Sequence, residues 1–343
     1  MAIVGEKNNF QENSMKRIAV ITSGGDAPGM NPAIRAIVRK SISIGLEVFG
    51  VKRGLQGLMD GDLTQLRPRD VGDIMHRGGT ILGTARAPEF LNTKGQQRAL
   101  ATIEEFSIDG IIMLGGDGSF HASQVLHEYG KSIVCIPTTI DNDIGCTEVA
   151  IGVDTALNTV VEAMNKLRDT AASHDRTFVI ETMGRNCGYL ALMAGLAGGA
   201  EAILIPEVPF EFEDVANRVM QGFERGKRHS FIIVSEGIHA SCELRPFQSV
   251  GEYVGALIAD KTGLEVRVTV LGHVQRGGAP SAFDRLLSTR LGVRSVEALL
   301  DDQSGVIIAL QNGEIVTLEL KRELGHTREL DHHLLDLAYT LSE

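Results

Sequence analysis

A chain of 343 residues, 43% of them hydrophobic and 39 of them glycine, is long enough for two domains around sizeable cores, and its glycines suit many tight strand-to-helix turns. The net charge of −11, the absence of tryptophan and an aromatic content of 5% exclude a broad polyanion-binding surface and a base-stacking platform, so nucleic acid is not an expected partner. No apolar run approaches the roughly 20 residues of a membrane span, residues 1–14 lack a signal peptide's apolar stretch, and Cys135, Cys146, Cys187 and Cys242 have neither CxxC nor zinc spacing; a cytoplasmic protein with reduced, mostly buried thiols and no membrane contact is expected.

Short β-branched runs alternate with amphipathic helical stretches, the pattern of parallel sheets with crossover helices. Residues 1–14 read as a disordered extension, and the first strand is expected at 17–21. The loop that follows carries Gly24-Gly25-Asp26, a turn that can approach a phosphate or simply close a tight βα connection. Asn31 and Pro32 then read as the N-cap and first turn of a helix, on which Arg35 and Arg39 lie one turn apart and by themselves suggest a solvated face. Further strands are expected at 47–51, 110–114, 132–136, 177–182, 202–205, 230–234 and 265–271. Ligands of open α/β sheets bind at the carboxyl ends of strands, so the loops after them are read as one set of site candidates.

Two of those loops suggest phosphoryl transfer. Gly115-Gly116-Asp117-Gly118-Ser119 follows the strand at 110–114; glycines let backbone N–H groups close on an anion, and the helix start beyond adds its positive dipole end. Asp117 would repel that phosphate unless a divalent cation bridges the two. Pro137-Thr138-Thr139-Ile140-Asp141-Asn142-Asp143 follows the next strand, and in an extended segment Asp141 and Asp143 share a face, one free to act as base and the other to hold metal. No GxxxxGK[ST] pattern occurs, which disfavours a P-loop NTPase. Later strands are followed by Gly184-Arg185-Asn186-Cys187-Gly188, by Glu236-Gly237 and by Gly272-His273-Val274-Gln275-Arg276-Gly277-Gly278, where His273 and Arg276 suit a phosphate monoester. Arg225-Gly226-Lys227-Arg228-His229 is a second basic cluster, and the stretch 240–251 reads as an insertion without an assignable role.

The glycine loops at Gly24 and Gly115, TIDND from Thr139, MGR from Met183 and GHVQRGG from Gly272 together resemble the 6-phosphofructokinases, in the family's order from about Met15 to at least Gly278. The resemblance implies an α/β fold of two similar Rossmann-like three-layer domains with mostly parallel sheets and the active site in the cleft between them. Residues 15–152 with 280–328 would form the larger, ATP-binding domain, and 153–279 with 329–343 the smaller, sugar-phosphate-binding one. The implied reaction transfers the ATP γ-phosphoryl group to the 1-hydroxyl of D-fructose 6-phosphate, in glycolysis, with Mg²⁺, within a homotetramer.

By that resemblance Asp141 is the base, Asp117 and Asp143 support Mg²⁺, Gly25, Arg86 and Arg185 stabilise the moving phosphoryl group, and Thr139 orients it. ATP would meet Gly25, Arg86, Ala87, Gly115, Gly116, Asp117, Gly118 and Ser119. The sugar phosphate would meet Thr139, Asp141, Met183, Gly184, Arg185, Glu236, His273 and Arg276, with Arg176 and Arg267 reaching in from a neighbouring subunit. An effector pocket for ADP or phosphoenolpyruvate would use Arg35, Arg39, Asp73, Arg168, Glu201, Arg225 and Lys227, although Pro68 stands where some bacterial members carry an effector-binding arginine. Gly118 leaves room for an α-phosphate and favours ATP over pyrophosphate, the alternative donor, whose users tend to carry Asp there and Lys at the position of Thr138. GGDG also occurs in NAD and lipid kinases, from which TIDND and GHVQRGG discriminate. A non-catalytic nucleotide- and sugar-phosphate-binding regulatory subunit is the alternative outside catalysis, against which Asp117, Asp141 and Arg185 speak.

Overall fold

The computed structural model describes residues 15–241 and 248–342. Residues 1–14, Cys242 and the middle of the stretch 240–251 lie outside the described residues. In chain order the main elements are β1 (Arg17–Thr22), α1 (Met30–Ser43), β2 (Glu47–Val51), α2 (Gly54–Asp60), β3 (Leu63–Leu66), α3 (Thr93–Glu105), β4 (Gly110–Gly115), α4 (Asp117–Glu128), β5 (Ser132–Pro137) and α5 (Val153–His174). They continue with β6 (Thr177–Thr182), α6 (Tyr189–Gly198), β7 (Ala202–Leu204), α7 (Phe212–Glu224), β8 (Ser230–Ser235), α8 (Val250–Thr262), β9 (Val266–Val270), α9 (Ala282–Leu300), β10 (Val306–Gln311), β11 (Glu314–Glu319), α10 (Leu320–Glu323) and α11 (His332–Ser342).

Two sheets result, one seven-stranded in the order β11-β10-β5-β4-β1-β2-β3 and one four-stranded in the order β7-β8-β6-β9. Every pairing is parallel except β2 with β3 and β10 with β11, which close the two edges of the larger sheet. All eight strands read from the sequence are present. The three that were not read are β3, a half-exposed stretch without an apolar run, and the hairpin β10–β11, turned by Asn312 and Gly313 at φ of 51° and 77°. Asn-Gly between two β-rich runs is the sequence signal for such a hairpin.

Alternate residues of each strand feed opposite cores, as a two-faced parallel sheet requires. Ile18, Val20, Ile112 and Leu114 pack under α1 and α9 on one face, and Ala19, Ile21, Ile111 and Met113 lie among residues of α2, α3 and α4 on the other. In the smaller sheet Phe178, Ile180 and Phe231 face α5 and α6, whereas Val179, Ile232 and Val234 face α7 and α8. A fifth cluster, including Ala27, Ile140, Val153, Met183 and Leu190, joins loops of both sheets. The buried Asp284 in the first turn of α9 ties the chain crossings together, accepting from Gly152 N at 2.8 Å and from Thr155 N at 2.9 Å.

Asn31 is not the N-cap of α1. Gly29 precedes that helix at a φ of 122°, and the buried Asn31 instead donates to Arg77 O and Gly78 O and accepts from Ile81 N at 2.8 Å, pinning the loop before α3.

Candidate active site

In each sheet the chain reverses its direction of travel beside a central strand: β4 is added on the far side of β1 from β2, and β9 on the far side of β6 from β8. Crevices at such switch points are where open α/β sheets take ligands. The two crevices face one cavity of about 650 Å³, lined from the larger sheet by the turns after β1, β4 and β5 and from the smaller one by Arg185 and Arg276.

The turn after β4 is shaped by close approach. A Cβ on Gly115 would overlap Ser119 Oγ and lie 2.7 Å from Ser23 O, so no side chain fits there. Gly116 precedes α4, and Asp117, in its first turn, carries an exposed carboxylate 3.4 Å from His121 Nδ1. A Cβ on Gly118 would meet nothing within 4 Å, so that position borders free space in the cavity. Beyond it Leu55, Ala87, Phe90, Leu91, Ala122 and Val125 form an apolar wall. Sequence reading missed most of this wall, although Gly118, His121, Ala122 and Val125 recur at helical spacing and so line one face of α4.

After β5 the chain does not stay extended. Asn142 takes a φ of 50°, held by its own side chain, which accepts from Ala150 N and donates to Glu148 O. This turn, rather than strand alternation, brings Asp141 and Asp143 to the same cavity. Asp141 is 2% exposed and its N–H donates to Thr139 Oγ1 at 3.2 Å. Arg185 Nε lies 3.3 Å from its Oδ2 and Arg276 Nη2 lies 4.0 Å from its Oδ1, an oxygen with no hydrogen-bond partner. Burial raises the Asp141 carboxyl above its ordinary range, opposed by Arg276, reinforced by Asp143 and opposed again by Arg185. Burial likewise raises Asp143, with Asp117 adding to the effect.

Gly25, Arg86, Ala87, Gly116, Asp117, Gly118, Ser119, Thr139, Asp141, Asp143, Arg185 and Arg276 line the cavity. Arg276 fills the space over Gly25, where a Cβ would come within 2.5 Å of its Nη1, and it donates to Asp26 O at 3.3 Å. Gly115, Met183, Gly184, Glu236 and His273 are not part of this lining. Glu236 Oε1 accepts from Gly184 N at 3.1 Å and from Arg185 N at 2.8 Å, fixing Arg185 at a φ of 51°. Met183 N–H donates to the buried Gln275, and His273 is exposed on the short 3-10 turn that ends at Arg276.

Arg176 and Arg267 lie away from the cavity and converge on Glu265. Arg168, Glu201 and Lys227 gather elsewhere on the smaller sheet, with Lys227 Nζ 3.5 Å from Glu201 Oε1 and the Arg168 guanidinium 4.9 Å from the Phe231 ring; Arg225 is the C-cap of the nearby α7. Arg35 and Arg39 lie on α1 and Asp73 in the loop after β3, and among the described residues no hydrogen bond or ion pair joins them to that group. Burial pushes the thiols of Cys135 and Cys146 up to about 12, which keeps them protonated and outside the chemistry.

The family model described as Phosphofructokinase matches residues 17–299. The chain belongs to the phosphofructokinase family. Relatives named ATP-dependent 6-phosphofructokinase include one from Listeria monocytogenes serotype 4b, 50% identical over 329 residues, and one from Halothermothrix orenii, 49% identical over 331 residues. Each comparison covers 96% of this chain and 100% of the relative. Among solved structures, phosphofructokinase from Saccharomyces cerevisiae is similar with a TM-score of 0.85 and 35% identity over 95% of this chain, which spans 48% of that longer one. The fold of a family member therefore carries the cleft, and the two mostly parallel sheets are its scaffold.

Proposed function

We propose that the cleft transfers the γ-phosphoryl group of ATP to the 1-hydroxyl of fructose 6-phosphate, with Asp141 as the base. The observation that carries this reading is the buried Asp141, with one unpartnered oxygen, facing the same cavity as the Gly116–Gly118 turn and Arg185. A hydroxyl entering there finds a carboxylate whose raised proton affinity suits it to take a proton as the oxygen attacks phosphorus. Phosphoryl transfer passes through a loose transition state, so positioning and charge supply most of the catalysis. Gly25, Arg86 and Arg185 stabilise the moving group and Thr139 orients it. The apolar wall from Leu55 to Val125 receives the base of ATP, while the open space at Gly118 admits its phosphates.

Asp117 and Asp143 fit Mg²⁺. Both line the cavity, the Asp117 charge disfavours that of Asp143, and among the described residues there is no cluster of three or more ligating side chains. Mg²⁺ suits such a sparse donor set because it keeps waters and shares phosphate oxygens. When bound it neutralises charge on the transferring phosphates.

The sugar phosphate is held by Met183, Gly184, Glu236, His273 and Arg276 of one subunit. Arg176 and Arg267, remote from the cavity of their own chain, serve that of a neighbour in a homotetramer. The two separate effector groups, Arg35 with Arg39 and Asp73, and Arg168 with Glu201, Arg225 and Lys227, likewise meet across subunits to bind ADP or phosphoenolpyruvate. Residues 15–152 with 280–328 form the nucleotide domain and 153–279 with 329–343 the sugar domain.

The deciding experiment measures fructose 1,6-bisphosphate formation from fructose 6-phosphate and Mg²⁺ with ATP or pyrophosphate supplied separately. Turnover with ATP alone is expected; turnover with pyrophosphate would overturn the donor assignment.

A further inference from the structure

Residues 326–328, beyond β11, lie along the acidic loop like an added strand. Gly145 N–H donates to His326 O at 3.0 Å and Arg328 N–H donates to Asp143 O at 3.0 Å, flanking an antiparallel bridge between Ile144 and Thr327. A Cβ on Gly145 would lie 2.9 Å from Thr327 O, so the approach needs glycine. The Arg328 side chain then grips the loop's carbonyls: Nε donates to Asn142 O at 2.7 Å, and Nη2 donates to Glu148 O at 2.7 Å and to Thr147 O. Its guanidinium also rests on the Tyr189 ring, 5.2 Å from the centroid. Tyr189 opens α6, four residues after Arg185.

One planar cation therefore holds both limbs of the turn that carries Asp141 and Asp143 and leans on the helix that begins just after Arg185. We propose that Arg328 is a positioning residue for phosphoryl transfer: it fixes the Asn142 turn against α6 and so sets the 3.3 Å approach of Arg185 to Asp141. The inference rests on the phosphofructokinase reading. Only a guanidinium can serve three carbonyls and stack on a ring at once; lysine supplies the charge on a flexible stem without the fixed fork. Reacting groups displaced by about 1 Å lose roughly 10²-fold in rate, which is the scale of effect at stake.

The test compares wild type, Arg328→Lys, Arg328→Met, Tyr189→Leu and Tyr189→Phe in steady-state assays with ATP and fructose 6-phosphate, after circular dichroism and thermal melts. The expected result is a kcat lowered about 10- to 100-fold in Arg328→Met and less in Arg328→Lys, with both KM values within about threefold of wild type. Tyr189→Leu is expected to lower kcat more than Tyr189→Phe, which keeps the ring under Arg328 and loses only the hydroxyl bonded to Asn142, and that difference is expected to vanish in the Arg328→Met background. A folded Arg328 variant with kcat within about twofold of wild type, or Lys and Met variants of equal kcat, would overturn the proposal. Should Arg328→Met fail to fold, Arg328→Lys decides alone. A wild type that does not turn over would overturn the activity and this inference with it, whereas an active wild type matched by its variants overturns the inference only.

Discussion

The larger sheet presents glycine main chain to the cleft, through Gly24, Gly25, Gly116 and Gly118, together with acidic and apolar side chains, whereas the smaller sheet lines it with Arg185 and Arg276 alone. On the first wall, geometry is set by close packing: Gly115 has no room for a methyl group, and its neighbours are backbone or the first atoms of Ser119. On the second, geometry is set by what holds each arginine, Glu236 behind Arg185 and Asp26 O beside Arg276. A backbone wall offers fixed donors that lose little entropy on binding, and a side-chain wall offers concentrated charge that can adjust. A nucleotide common to many reactions suits the first, and a reacting sugar phosphate suits the second.

The sharpest way to break this division is at the residue between the walls. Asp141→Asn is expected to lower kcat by about 10²- to 10⁴-fold with little change in the KM for ATP, measured by coupled ADP release. Removing charge from the second wall with Arg276→Ala is expected to raise the KM for fructose 6-phosphate by about tenfold or more, since charge-assisted bonds contribute roughly 1.5 to 3 kcal/mol. Gly118→Asp places a carboxylate in the space proposed for the nucleotide without a clash in the free protein, so the KM for ATP is expected to rise about tenfold or more while the melting temperature holds. Gly115→Ala acts on the fold instead, costing about 1 to 3 kcal/mol in denaturant unfolding through overpacking.

The smallest expected effect is in the pH profile. The proposed base must be ionised, so kcat/KM is expected to fall as pH drops through the titration of the Asp141–Asp143 pair. Burial places that limb above the ordinary carboxylate range. Arg276 opposes the upward shift, so Arg276→Met should move the acid limb to higher pH; an unmoved limb would assign it to another group.

Much of this arrangement was legible before folding. Eight strands announced themselves as β-branched runs, and the glycine turns and TIDND loop fell at their carboxyl ends. What stayed hidden was made by long-range packing. Thr139 to Asp143 read as extended because Asn142 can sit in a strand or turn left-handed, and its bonds to Ala150 and Glu148 decide for the turn. The apolar wall draws on α2, the turn at Pro88–Leu91 and α4, joined only by the fold. Arg328 sits in a motif-free stretch, and its partners are more than 130 residues away in the chain. β3 and the β10–β11 hairpin escaped because a parallel pattern was being read where two antiparallel edges intervene.

The route of the chain also sets an order of assembly. Residues 177–270 form the smaller sheet in one continuous stretch, while the larger sheet waits for β10, whose approach to β5 is secured by Ser304 across 171 residues. Closing so long a loop is entropically expensive, and contacts between distant segments form slowly. The core of the smaller sheet waits as well, because Leu330, Leu335 and Ala338, made after β11, belong to it. The glycine turns of the cleft are made earliest, yet the cores behind both of its walls close only when the last strands and helix of the chain arrive.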